Sequence, residues 1–224
     1  GCSNVDSESQ KNSGLQLRAT AAGGGTDTVV SAQILVGDKI TGTRVELSGG
    51  DELRASIDGQ EKKLVESKDL VSDIHYRGTY AGDSSGKEIN IAFKRTSEAS
   101  LTANKVAMPA AFAITAPAAN AATSRATGFE VKWDPAAADG TVTISISGSC
   151  ISAFTKSVSD SVSYTVPANE LKPLPKPDAG VAIESCTADI SVSRSSKGSI
   201  DPGWGEGGSF SATQSRKVNV TTNP

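Results

Sequence analysis

The chain has 224 residues, a formal charge of −3, 37% apolar residues and 4% aromatic residues. That length admits one large domain or two of about 100 residues each. Lys and Arg are scattered singly, with Lys62-Lys63 the longest basic run, which argues against a nucleic-acid surface or a polybasic membrane patch. No stretch reaches the apolar length of a transmembrane helix. Abundant Gly, Ser, Thr and Ala with few aromatics fit short strands joined by many turns better than long helices.

The chain opens "GCSNVDSESQKNSG", with one of only three cysteines at position 2. Cys2 has three readings: a free thiol, which an exposed tail would leave open to oxidation; a disulfide partner, which would strand one of the other two cysteines; or a lipid-attachment site. The start Gly1-Cys2-Ser3-Asn4 resembles the end of a lipobox, and the resemblance implies a bacterial lipoprotein anchored through Cys2. Ser3 in place of Asp is similar to the outer-membrane sorting pattern of enteric bacteria. Residues 3–27 are mostly small or polar, with Val5, Leu15 and Leu17 the larger apolar residues. Such a segment is expected to stay unfolded. Residues 1–27 are therefore expected to form a flexible tether, with an end-to-end distance of roughly 25–30 Å.

Period-2 alternation begins near Thr28. "TVVSAQILVG" predicts a strand. Val45 and Leu47 alternate with charged residues, Gly49-Gly50 turns the chain, and Leu53, Ala55 and Ile57 alternate again. Asp58-Gly59 then predicts a tight type I′ turn, because both central positions need positive φ. "DIHYRGTYAG" and "KEINIAFKRT" follow, joined by a Gly82–Gly86 turn, and "SLTANKVAMP" predicts one more strand. Residues 28–108 thus read as an N-terminal β-sandwich domain.

The segment "MPAAFAITAPAANAATSRATG" is rich in Ala and Pro and holds no acid, placing a domain boundary near Pro109. Alternation restarts with Phe129, Val131 and Trp133, then Val142, Ile144 and Ile146, then Val162, Tyr164 and Val166, and continues through "GVAIESCTADISVSRSS" and "FSATQSRKVNVTTNP". The order Ile114-Thr115-x-Pro117, Phe129-x-Val131-x-Trp133-x-Pro135, Val142-x-Ile144-x-Ile146 resembles the opening of fibronectin-type or Ser/Thr-rich wall-protein β-sandwiches. It covers about 112–148 and implies a fold without an activity, with Trp133 in the core. "ELKPLPKPDAG" reads as an extended crossing loop, since Pro173, Pro175 and Pro177 remove alternate backbone donors. The expected architecture is all-β: two immunoglobulin-like antiparallel β-sandwiches in tandem, 28–108 and 109–224.

Candidate chemistry is sparse. If Cys2 carries lipid, Cys150 and Cys186 remain, in consecutive alternating segments, and an exported location favours a disulfide between them. His75, the only histidine, lies between Ile74 and Tyr76 on a strand, and no G-x-S-x-G frame offers it a nucleophile. Asp83, Asp134 and Asp139 sit in turn sequences that do not match a calcium loop. Neither a catalytic residue, a metal ligand nor a cofactor site is assigned. The unusual stretch is "DPGWGEGGSF". There Trp204 and Glu206 are candidate ligand contacts if the ring is exposed on its glycine-rich loop, or Trp204 caps the sandwich if the loop folds back.

These residues point to a non-catalytic envelope lipoprotein. The expected role is a binding or spacer module for protein or polysaccharide partners, held to the membrane by Cys2. The alternatives are an enzyme of unrecognised type, or an inhibitor or assembly factor for a secreted enzyme or surface structure.

Overall fold

The computed structural model describes residues 5–37, 42–68, 74–137, 140–174 and 185–224. Cys2, Asp139, Pro175 and Pro177 lie outside them. The chain divides into two compact units, Gly1–Pro109 with Ser195–Gln214, and Ala110–Arg194 with Ser215–Pro224. The first break falls at the expected Ala/Pro segment. The expected assignment of all of 109–224 to one domain does not hold, because 195–214 return to the first unit.

Among the described residues the structure is almost entirely β, with two 3-10 turns at Ser7–Ser9 and Asn12–Gly14 and no α-helix. The first ten strands are β1 (Val5–Asp6), β2 (Leu15–Gly23), β3 (Asp27–Val36), β4 (Thr43–Glu46), β5 (Glu52–Ile57), β6 (Gln60–Lys63), β7 (Val65–Lys68), β8 (Ile74–Ala81), β9 (Glu88–Lys94) and β10 (Leu101–Ala107). The next six are β11 (Ala113–Ala116), β12 (Ala122–Ser124), β13 (Phe129–Asp134), β14 (Thr141–Gly148), β15 (Ile151–Ser159) and β16 (Ser163–Val166). The long strands β17 (Cys186–Lys197) and β18 (Ser209–Asn223) each contribute residues to both units.

In the first unit β3 pairs antiparallel with β2, β4 and β8, and β2 pairs in parallel with the first half of β18. A second sheet runs β10-β9-β5-β6. Inward residues of both sheets share one core: Leu15, Leu17, Val30 and Ile34 from the first, Leu53, Ala55, Ile89, Ile91 and Phe93 from the second. Asp58 and Gly59 close the β5–β6 hairpin with φ of 52° and 77°, as the turn chemistry requires.

The tether expected over 1–27 is corrected from Val5 onward. Residues 15–23 are a core strand, with Leu15, Leu17, Ala19 and Ala21 all inward and buried. The alternation in "LQLRATAAG" is carried half by alanines, which a count of large apolar residues passes over. β3 pairs along the whole of β2 and β18 along Arg18–Gly23, so those six residues are strand-paired on both edges.

In the second unit one sheet is β11-β13-β16, and the other is β15-β14-β17-β18 with β12 added in parallel to β18. Labelled A to G in chain order, this is an A-B-E sheet against a C′-C-F-G sheet, the strand arrangement of an immunoglobulin or fibronectin-type sandwich. Val131, Trp133, Val142, Ile144, Ile146, Ile190 and Val192 fill its core. Val162, expected on the buried face with Tyr164 and Val166, is 43% exposed in the turn before β16 with φ of 70°.

The β2 assignment has a direct test. Ala21→Asp should destabilise by several kcal/mol, since it buries an unpaired charge. Thr20→Asp, on the exposed side of the same strand, should stay within about 0.5 kcal/mol. Urea denaturation of both variants reads the difference; equal midpoints would restore the tether.

Candidate functional site

The Trp204 loop joins β17 to β18. The ring is 6% exposed and stacks on Phe93 with centroids 5.2 Å apart and planes 13° apart. Its Nε1–H donates to Asn104 Oδ1 at 2.8 Å. Asn104 is fully buried; its Oδ1 also accepts from Asp201 N at 3.0 Å, and its Nδ2 donates to Ile91 O and Leu101 O. Asp201 accepts from the backbone N–H groups of Thr102, Ala103 and Gly203.

Gly205 N–H donates to Leu15 O at 2.7 Å, and a Cβ at Gly205 would lie 2.5 Å from Ser13 O. The glycines thus let the loop seat against its own unit. Of the two readings of Trp204, the internal cap holds and the candidate ligand contact does not. Glu206 remains exposed beside it, without the ring that was to share its ligand.

Phe93 also lies beneath the Arg95 guanidinium, 5.0 Å from its centroid. The Arg95 and Asp51 side chains are both 0% exposed. Arg95 Nε donates to Asp51 Oδ2 (3.1 Å), Nη1 to Gln10 O (3.0 Å) and Asn12 Oδ1 (2.8 Å), and Nη2 to Ser7 O (2.7 Å) and Ser97 Oγ (3.5 Å). Ser7 Oγ donates to Asp51 Oδ2 at 2.9 Å. These bonds hold 7–12 against the first unit.

The second unit has its own buried centre. Trp133 Nε1–H donates to Asp160 Oδ1 at 2.7 Å. Arg194 bonds both carboxylate oxygens, Nε to Oδ2 at 2.6 Å and Nη2 to Oδ1 at 3.1 Å, and its guanidinium lies 4.5 Å from the Phe112 centroid. Burial pushes the Asp160 carboxyl up, but the bonds from Arg194 and Trp133 outweigh it and hold the group below the usual aspartate value.

The sequence reading missed both arginines, because a charged residue ordinarily marks a strand's wet side. The signal was the register. Arg95 continues the inward run Ile89, Ile91, Phe93, and Arg194 continues Ala188, Ile190, Val192.

Cys150 and Cys186 are bonded, with Cα atoms 5.8 Å apart, and the bridge ties the β14–β15 turn to the start of β17. His75 is half-buried on β8. Among the described residues no group of three or more His, Cys, Asp or Glu stands in metal-binding proximity.

The surface of the described residues carries open hollows. One, of about 360 Å³, is lined by Ser147, Gly148, Thr187, Asp189 and Asn219. There Lys217 (2.5 Å) and Asn219 (2.9 Å) bond Asp189 and lower its pKa. Another, of about 320 Å³, runs past Glu88, Lys105 and Lys197. The residues lining them do not set a nucleophile beside a general base.

No family model and no curated protein sequence matches the chain. Among solved structures, the FN1–FN3 domains of chicken CNTN1 are 14% identical over 99% of this chain and 68% of theirs, with a TM-score of 0.32. The fibronectin(III)-like modules of Clostridium thermocellum CbhA are 11% identical over 93% and 92%, with a TM-score of 0.26. The adhesin InvE of Yersinia pseudotuberculosis is 11% identical over 95% and 60%, with a TM-score of 0.23. The all-β sandwich assignment rests on the strand orders and shared cores described above.

Two outcomes follow for the buried centres. Trp204→Ala should cost about 3–5 kcal/mol in chemical denaturation. Trp204→Phe should cost less, keeping a ring on Phe93 but removing a donor from Asn104; an alanine variant within about 0.5 kcal/mol of the parent would return the ring to the surface.

For Asp160 the lowered folded pKa makes the contribution to stability fully present above the ordinary aspartate pKa of about 3.9, and lost as pH falls through the folded value. Acid unfolding followed by Trp133 fluorescence in a Trp204→Phe background should therefore set in below about pH 4. Asp160→Asn, less stable at neutral pH, should flatten that acid limb.

Proposed function

We propose that the chain is a non-catalytic module of the bacterial cell envelope, anchored by lipid on Cys2, that binds or spaces protein or glycan partners through the outer faces of its sandwiches. The observation that carries this reading is where the chemistry-bearing side chains are used. Trp133, Arg194 and Asp160 are bonded to one another inside the second unit, and in the first Arg95 is bonded to Asp51 and Trp204 to Asn104. Their role is to hold a shape. What the second unit presents outward is strand surface, such as Thr143, Ser145, Ser191 and Ser193.

The corrected N-terminus alters the geometry of the proposed anchor. Only Ser3 and Asn4 separate Cys2 from Val5, the first residue of β1. Three residue steps span at most roughly 10–11 Å. An anchored body would then lie close against the bilayer instead of hanging from a long coil.

Fractionation tests the anchor: the full-length precursor should sediment with membranes, and its Cys2→Ser variant should appear in the soluble fraction. Retention on immobilised peptidoglycan and on purified outer-membrane polysaccharide tests the binding role. Unchanged fractionation of the variant would remove the anchor. Turnover of any such polysaccharide by the purified chain would replace the module with an enzyme.

A further inference from the structure

The two sulfurs of the Cys150–Cys186 bridge have unequal surroundings. Cys150 is 9% exposed and lies against Arg125, itself 4% exposed, whose Nη1 donates to Cys150 Sγ at 3.4 Å and to Thr222 O at 3.3 Å. Cys186 is half-buried at the leading end of β17, and its Sγ accepts the Cys150 backbone N–H at 3.2 Å. One sulfur thus sits beside a buried cation, and the other is the more open to an incoming group. A thiolate that departs beside a guanidinium is stabilised, and thiol exchange runs faster when the departing sulfur is the better thiolate.

We propose that this bridge is an exchangeable clasp, with Cys186 Sγ the site at which an external thiol forms a mixed disulfide and Cys150 the departing sulfur. The partner is a dithiol, either a small molecule or the paired cysteines of a reducing protein. Its thiolate attacks Cys186 Sγ, a new S–S bond forms, and the Cys186–Cys150 bond breaks with its electron pair on Cys150 Sγ beside Arg125. The second thiol of the partner then attacks its own sulfur, releasing Cys186 as a thiol and leaving the partner oxidised. The net change moves two electrons and two protons from the partner to the bridge.

Opening the clasp acts on defined contacts. Cys150 O accepts from Leu174 N at 3.0 Å, and Ser152 N donates to Lys172 O at 2.8 Å, so the β14–β15 turn and the start of β15 hold 172–174, while the bridge ties the turn to β17. Reduction frees that corner while leaving the inward rows of β14 and β17 paired.

The experiment uses the full chain with Cys2→Ser, so that one cysteine pair is present. The oxidised protein is incubated with reduced glutathione without denaturant, quenched in acid, alkylated and mapped by mass spectrometry. Glutathione should lie on Cys186 and the alkyl group on Cys150, by at least about tenfold over the reverse. An even or reversed distribution, or no mixed disulfide without denaturant, overturns the proposal.

In parallel, Arg125→Gln should lower the equilibrium constant for reduction by dithiothreitol about tenfold, the size of one pKa unit on the departing thiol. Arg125→Lys should keep most of it. A folded glutamine variant that reduces like the parent overturns the role of Arg125. If that variant does not fold, the lysine variant and the mapping of the parent still decide.

Discussion

A guanidinium sealed from water is strongly unfavourable unless every one of its donors is met. Arg95 meets this condition: its five N–H groups reach Asp51, Gln10, Asn12, Ser7 and Ser97. Three of those five partners lie in 7–12, so the pair is complete only when the N-terminal segment is in place. The chain then leads directly into β2. The same guanidinium lies over Phe93, on which the Trp204 ring also stacks. Four distant pieces of chain are thereby fixed by one cation. Such a network adds little net stability over an apolar core, and its larger effect is to penalise every arrangement that leaves a donor unmet.

The second unit solves a related problem with different chemistry. An indole buried among aliphatic side chains brings an N–H that needs an acceptor inside. In the first unit the acceptor is the neutral amide of Asn104; in the second it is the Asp160 carboxylate, balanced by Arg194. Arg194 in turn covers Phe112, as Arg95 covers Phe93. In both units, then, the largest ring and a buried cation are tied into the packing by hydrogen bonds. Loops that look exposed and adaptable in sequence become part of the scaffold.

Much of this architecture is legible in the sequence. The runs Ile89-Ile91-Phe93 and Val142-Ile144-Ile146 announce their buried faces because one large side chain recurs at every second position, and Asp58-Gly59 announces its turn because few residue pairs accept two positive φ values. What was missed depends on partners far along the chain. β2 hides because alanine fills inward positions without a strong apolar signal. Arg95 and Asp51 look like surface charges until a partner 44 residues away neutralises them. The position of Trp204 depends on Asn104, 100 residues earlier. Local composition describes the glycine loop well and says nothing about the cavity waiting for it.

The return of 195–214 to the first unit carries a consequence for the order of assembly. A chain that emerges N-terminus first presents residues up to 109 long before their last partners exist. Until Ser209–Gln214 arrives, β2 has one unpaired edge, and until Trp204 arrives, Phe93 lacks its stacking ring. Contacts at such separation carry a large loop-closure cost before they repay it, which slows folding. The first unit, although begun first, therefore cannot be completed until most of the second has been made. Its open edge and uncovered aromatic stay exposed for the whole time the intervening segment is being made, which makes that interval the period of greatest exposure to aggregation.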